Sequence, residues 1–213
     1  ARDCDVIFLG VKPQTMARML QPLQPILAGR RTPFVLVSMA AGVTIEALQA
    51  MAGGRYPVVR IMPNTACAVG AGMTTYTCSA EVTDRQRQAV LDALAASGLL
   101  EEIEEGLMGA ASAVAGCGGA FACLFLEGLA DGGVLCGLPR KKAQRMAAQM
   151  LLGMATQALE SDEHTGALKD AVCSPAGSTI AGIRKLESMS FRSAAMEAVI
   201  AAWEREREMQ QQK

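Results

Sequence analysis

Cys4-Asp5-Val6-Ile7-Phe8-Leu9-Gly10-Val11-Lys12-Pro13 is the stretch that decides the fold. Its apolar run is unbroken and partly β-branched, without polar alternation, which predicts a buried strand over residues 4–11. Lys12 and Pro13 end it, and Pro13 suits the first turn of a helix, where no backbone donor is needed. Met16, Met19, Leu20 and Leu23 then recur at helical spacing up to about Leu27. The alternation repeats, with strands expected over 34–38 and 58–62 around a helix over 44–50. Strand, helix and strand at this spacing predict a parallel sheet with crossover helices.

After the Pro63-Asn64 turn, the pattern gives a strand over 72–77, a helix over 85–96 capped by Asp84, and a closing strand over 99–103. From residue 104 the period changes for good, with helices expected over 105–116, 119–136, 139–160, 166–172, 177–187 and 190–208. The fold class is therefore α/β over residues 1–103 followed by all-α over residues 104–213. Met146, Met150 and Met154 lie four apart on one helical face, as core or subunit packing requires. The charged tail from Glu204 to Lys213 reads as a solvated, frayed helix end.

Apolar residues make up 51% of the 213-residue chain, enough for a core, yet aromatics are only 4%, so Ala, Met, Gly and Leu must do the packing. The net charge of −1 provides no basic field for nucleic acid or an anionic membrane. Residues 119–138 are strongly apolar, but Glu127, Asp131 and several glycines interrupt them, which favours a subunit-interface helix over a membrane span. Glu127 and Asp131, four apart, are expected in buried ion pairs across helices. The seven cysteines form no Cys-x-x-Cys pair and there is one histidine, so no metal site is expected. Reduced, buried thiols and no visible signal peptide fit a cytoplasmic protein. The chain starts at Ala1 with a strand almost at once, which is expected of a fragment lacking a βαβ unit of roughly 30 residues or more.

The chemistry concentrates in Asp170-Ala171-Val172-Cys173-Ser174-Pro175-Ala176-Gly177-Ser178-Thr179-Ile180, a polar loop running into a helix. The first amides of a helix lack internal partners, and the dipole favours negative charge there, so the loop suits a carboxylate or phosphate. Gly177 allows close backbone approach, and Ser174 and Thr179 add hydroxyls. A plain helix cap by Ser174 or Ser178 explains the same residues equally well. Lys12 stands at the carboxyl end of a strand, where open α/β sheets bind ligands, or is simply a solvated strand terminus. Asn64 is open to two readings as well, an Asx turn or a position facing a ligand.

The loop resembles the signature of the pyrroline-5-carboxylate reductase family. Further matches run in order along the chain: Val11-Lys12-Pro13, Ala40-Ala41-Gly42-Val43, Arg60-Ile61-Met62-Pro63-Asn64-Thr65, Gly137-Leu138-Pro139-Arg140, Glu163-His164 and Gly166-Ala167-Leu168-Lys169-Asp170. The resemblance implies an incomplete Rossmann-like dinucleotide-binding domain at 1–103 and a helical dimerisation and substrate-binding domain at 104–213. It implies reduction of 1-pyrroline-5-carboxylate to L-proline, the last step of proline biosynthesis, by NADPH or NADH in a homodimer or higher homo-oligomer. Ser174, Gly177 and Thr179 would bind the substrate, with Thr179 at the ring nitrogen and Glu163 close by. Gly10, Val11, Lys12 and Pro13, then Met39, Ala40 and Ala41, and Asn64 would line the cofactor.

Two departures from the family pattern stand out. Ala176 replaces the usual first glycine of the loop, which matters if that residue needs positive φ. Ala115-Gly116-Cys117-Gly118-Gly119-Ala120-Phe121 replaces Ser-Gly-Ser-Gly-Pro-Ala-Tyr. These changes, with the missing glycine-rich turn, motivate the alternative of a non-catalytic or other-imine relative acting as a dimeric ligand-binding protein. They also lead to the expectation that residues 1–213 alone are inactive. A β-hydroxyacid dehydrogenase is argued against, since residues 105–125 contain no lysine and no asparagine.

Overall fold

A computed structural model of the chain describes residues 1–211. Two compact units emerge: residues 1–119 with the described residues from Val199 onward, and Ala120–Ala198.

The first unit is built on a sheet ordered β1 (Val6–Leu9), β2 (Val35–Ser38), β3 (Val58–Pro63), β4 (Gly72–Cys78) and β5 (Gly98–Glu102). β1, β2 and β3 are parallel, with Leu9 opposite Ser38 and Ser38 opposite Arg60. β4 runs antiparallel to β3, and β5 parallel to β4. The expected parallel order thus breaks at β4. Residues 64–71 are all that separate it from β3, and a parallel return needs a dozen or more.

Alternation along β2 sorts the core. Leu36 joins Leu9, Val58 and Leu48 on one face, while Val35 and Val37 join Val59, Ile61 and Val90 on the other. Both faces are covered, as parallel strands require. Each large side chain buried this way contributes roughly 1.5–3 kcal/mol.

The expected helix after β1 is divided. α1 (Pro13–Leu20) gives way to a 3₁₀ turn at Gln21–Leu23 and then α2 (Gln24–Ala28). Pro22 and Pro25 lack the amides a continuous helix would use. α3 (Ile45–Ala52) is capped by Thr44, whose hydroxyl accepts from the Ala47 amide at 3.2 Å. α4 (Asp84–Leu94) is capped by Thr83 rather than Asp84, because Thr83 and Gln86 form a reciprocal capping box. A helical stretch then runs through α5 (Met108–Ala111), a π-helical segment at Ser112–Cys117, and into α6 (Gly118–Leu135).

The second unit comprises most of α6 with α7 (Arg140–Glu160), α8 (Thr165–Ala171), α9 (Ser178–Ser188) and the start of α10 (Phe191–Gln211). Among the described residues, its buried apolar ones are Ala130, Ala143, Ala147 and Leu168. Meanwhile Leu124, Leu135 and Met146 are 71%, 88% and 57% exposed. So small a core cannot stabilise a helical unit, so this surface needs a cover. The methionine face is therefore open in the single chain rather than packed in a core.

Three further expectations change. Cys4, Cys117, Cys123 and Cys136 are exposed, the last three on or beside the uncovered α6. Asp131 pairs with Arg140 at the surface, and Glu127 is exposed. α10 remains helical through Gln211 and buries Glu206, so the charged tail is not simply solvated; its last two residues lie outside the described ones.

Candidate active site

The turns expected to line a dinucleotide leave the same edge of the sheet. Gly10–Pro13 follow β1, Met39–Ala41 follow β2, and Asn64 follows β3, all at the carboxyl ends of parallel strands. Open space surrounds the position a Cβ would take at Gly10. Ala40 is buried, its amide bonded to the Ser38 hydroxyl at 3.3 Å, and Gly42 turns the chain at φ 69. Gly10 and Ala40 leave room beside the backbone there, flanked by the exposed side chains of Lys12 and Met39.

Asn64 behaves differently. Its Oδ1 accepts from the Ala66 amide at 3.2 Å and the Met73 amide at 3.4 Å. Its Nδ2 donates to the Ala115 carbonyl at 3.0 Å. The Asx-turn reading is realised, and most of the side chain's bonding capacity is committed to the protein.

In the second unit, Gly177 is the N-cap of α9 and offers no side chain to the helix start. The amides of Ser178, Thr179 and Ile180 therefore find no acceptor among the described residues; the first helical bond is from Ala181 to the Gly177 carbonyl. Neither Ser174 nor Ser178 caps the helix through its side chain. The Gly177 amide donates to the Ser174 carbonyl at 3.0 Å, and a Cβ at Gly177 would collide with the Ser174 hydroxyl. Ser174 and Thr179 are exposed beside these free amides. The start of α9 thus gathers unpaired amides and exposed hydroxyls, the kind of terminus that favours negative charge.

Glu163 lies exposed in the turn before α8, and no hydrogen bond or ion pair links its side chain to residues 174–179 among the described residues. His164 is structural: its Nδ1 accepts from the Gly166 amide at 3.0 Å and caps α8.

Ala176 does take positive φ, at 57. A non-glycine residue in that region costs about 1–2 kcal/mol, and glycine returns part of the gain through its greater unfolded-state entropy. Ala176→Gly is therefore expected to stabilise the protein by about 0.5–1 kcal/mol in denaturant titration. An unchanged or lowered midpoint would show that the loop is not strained.

A buried polar network that sequence reasoning missed lies behind the sheet edge. Arg60 in β3 is 3% exposed, and its Nη1 meets Glu105 Oε1 at 3.3 Å. The same oxygen accepts from the Ile45 amide at 2.7 Å. Glu206 of α10 is 7% exposed and faces Arg60 and the Ser112 hydroxyl. The signal was a lone arginine within the apolar run Val58-Val59-Arg60-Ile61-Met62. Nothing comparable marked Glu206, one of several charges in the tail.

Burial pushes the Glu206 carboxyl above its ordinary pKa, against the smaller pull of Ser112 and Arg60. Below the ordinary carboxylate range both folded and unfolded states hold the proton, and Glu206 gives no pH dependence. As pH rises, the unfolded state ionises first, so stability falls until the folded-state pKa is passed. Glu206→Gln is expected to remove that decline, making the variant relatively more stable at neutral pH than at acid pH. Parallel stability–pH curves for the two proteins would contradict this.

A mostly parallel α/β sheet followed by a helical unit with an uncovered apolar surface is the layout of an oligomeric dinucleotide-dependent oxidoreductase. The family model for pyrroline-5-carboxylate reductase dimerisation matches residues 105–209. A pyrroline-5-carboxylate reductase from Synechocystis is 43% identical over 209 residues, 98% of this chain and 76% of the relative. The Escherichia coli enzyme is 40% identical over 205 residues, covering 96% of this chain and 75% of its own. Among solved structures, the Plasmodium falciparum reductase with NADP bound superposes with a TM-score of 0.87 at 35% identity, covering 98% of this chain and 78% of that one. The Coxiella burnetii reductase gives a TM-score of 0.90 at 31% identity, covering 98% and 77%. The chain belongs to the pyrroline-5-carboxylate reductase family, and it spans about three-quarters of the length of the Synechocystis and Escherichia coli enzymes.

Proposed function

We infer that the protein reduces 1-pyrroline-5-carboxylate to L-proline, the last step of proline biosynthesis, with a reduced nicotinamide dinucleotide. Family membership at 43% identity over 98% of the chain is the observation that carries this reading. The dinucleotide fits the edge formed by Gly10–Pro13 and Met39–Ala41, where Gly10 leaves open space beside the backbone. Bound there, it supplies a hydride to the imine carbon while the imine nitrogen keeps the proton that makes it electrophilic. The relative crystallised with NADP supports NADPH as the donor to test first.

The protein's task is to hold two reactants in register, and little acid–base equipment is needed. The free amides of Ser178, Thr179 and Ile180 hold the substrate carboxylate, with Ser174 beside them. The Thr179 hydroxyl hydrogen-bonds the ring nitrogen and orients the imine. Glu163 is placed near the substrate on family resemblance alone.

We further propose that the division near residue 104 separates a dinucleotide-binding part from a dimerisation part; the family model beginning at residue 105 supports it. The protein is a homo-oligomer, and a partner subunit covers the apolar helices. The helical stretch Glu105–Leu135 is long and apolar enough to cross a membrane, with a mean hydropathy of 1.7. Its part from residue 120 onward, where Leu124, Leu129 and Leu135 are exposed, lies within the dimerisation match, which supports a partner subunit as the cover there. We place this enzyme of a soluble biosynthetic family in the cytoplasm.

The test is oxidation of NADPH by the full-length protein on addition of 1-pyrroline-5-carboxylate, with L-proline identified as product. Proline binding with no turnover would favour the alternative of a non-catalytic relative.

A further inference from the structure

Asn64 stands at the end of β3, and most of its side chain's bonding capacity is committed to the protein. Three hydrogen bonds hold it, and the one that reaches farthest in sequence is to the Ala115 carbonyl. Ala115 lies in the π-helical segment Ser112–Cys117. A π turn widens the helix and breaks its regular pairing, and such bulges recur at functional sites. Asn64 occupies a carbonyl in this segment and ties it to the ligand edge of the sheet.

The segment is held on other sides as well. Ala113 is fully buried, and the Ser112 hydroxyl faces the buried Glu206 carboxyl. Beyond these anchors the backbone is bare. Cys117 is exposed, and open space surrounds the Cβ positions of Gly118 and Gly119. One side of the segment is fixed to β3 and α10, and the other presents uncluttered backbone.

We infer that Asn64 is a positioning residue that acts on the reduction through the segment Ser112–Cys117, which it fixes as a wall of the dinucleotide site at the nicotinamide end. The inference rests on the reductase reading above. A ring seated between the β2 turn and this wall keeps its transferable hydrogen in line with the imine. Misplacement by about 1 Å costs on the order of 100-fold in rate. Asn64 therefore governs kcat more than dinucleotide affinity.

The test compares wild type with Asn64→Asp in the full-length protein. Aspartate keeps acceptors for the Ala66 and Met73 amides but replaces the donor to Ala115 with a carboxylate facing a carbonyl. NADPH is expected to slow hydrogen exchange at residues 112–119 in wild type. In the variant that protection is lost, kcat falls by about 10- to 100-fold, and the dinucleotide Kd stays within about 3-fold. Ser112→Ala, which leaves the Asn64 bonds intact, is expected to lower kcat less, and its effect should not add to that of Asn64→Asp because both anchors hold one segment. If Asn64→Asp does not fold, Asn64→Ala, which removes the donor to Ala115 without adding a charge, decides, and an unchanged kcat there overturns the inference. NADPH binding without protection at 112–119 overturns it while leaving the reductase reading intact. A raised Kd with unchanged kcat would make Asn64 a direct cofactor contact and overturn the positioning role. Failure of wild type to bind any nicotinamide dinucleotide removes the reductase reading and this inference together.

Discussion

Thr179→Ala is expected to lower kcat by about 10- to 100-fold, with a smaller change in substrate KM. Thr179 is the second residue of α9, exposed beside the unpaired amides at the helix start, and its hydroxyl has no partner among the described residues. Truncation therefore removes no bond that stabilises the fold, and thermal stability should stay within about 0.5 kcal/mol. In the proposed reading, what it removes is the hydroxyl that orients the ring nitrogen, an interaction that sharpens as the imine carbon becomes tetrahedral. The carboxylate keeps its backbone amides, so substrate still binds. Steady-state kinetics with Thr179→Ser as the conservative control checks this. Serine should recover most of the rate, because the hydroxyl and not the methyl group is at work. A tenfold rise in KM at constant kcat would instead place Thr179 in uniform substrate binding.

The largest stability effect is expected at Arg60. Arg60→Met should cost about 3 kcal/mol in denaturant titration. The guanidinium is 3% exposed, and Nε and Nη2 have no hydrogen-bond partner among the described residues, so the site depends on the Glu105 contact and on the nearby Glu206. Removing the cation leaves Glu105 held against the Ile45 amide without its counter-charge, and pushes the buried Glu206 further toward its neutral form. Glu105 is one-third exposed and can regain water, which keeps the loss at the lower end for a broken buried pair. Arg60→Lys should fall between wild type and Arg60→Met, since the charge remains but the planar fork is lost. Combining Arg60→Met with Glu105→Gln should recover part of the loss. A cost below about 0.5 kcal/mol for Arg60→Met would mean that the network is dispensable.

The strands of the first unit were legible because buried parallel strands announce themselves as apolar runs, and Val35-Leu36-Val37 is such a run. The direction of β4 was not, because direction depends on connection length and pairing rather than on local pattern. Pro22 and Pro25 carried the break between α1 and α2 in plain view, yet the helical spacing of Met16, Leu20 and Leu23 masked it. The loop at 174–179 could be read as far as its free amides, but local sequence could not separate an anion site from an ordinary cap. Coordinates were needed to show that Gly177 caps α9 without a side chain and that Ala176 takes positive φ. The cysteines of the second unit misled: apolar surroundings in sequence became surface in the single chain, whereas the methionine face kept the subunit-packing half of its reading. Long-range polar pairing stayed hidden, and the links from Asn64 to Ala115 and from Arg60 to Glu105 and Glu206 leave almost no local trace.

The most direct measurement follows the hydrogen itself. Full-length protein is incubated with 1-pyrroline-5-carboxylate and NADPH deuterated at the transferable position of the nicotinamide, and the product is examined by NMR. The account predicts L-proline carrying one deuterium on the ring carbon beside nitrogen, on the side away from the carboxylate. Absence of proline, or proline formed without that label, would contradict hydride transfer from the dinucleotide to the imine.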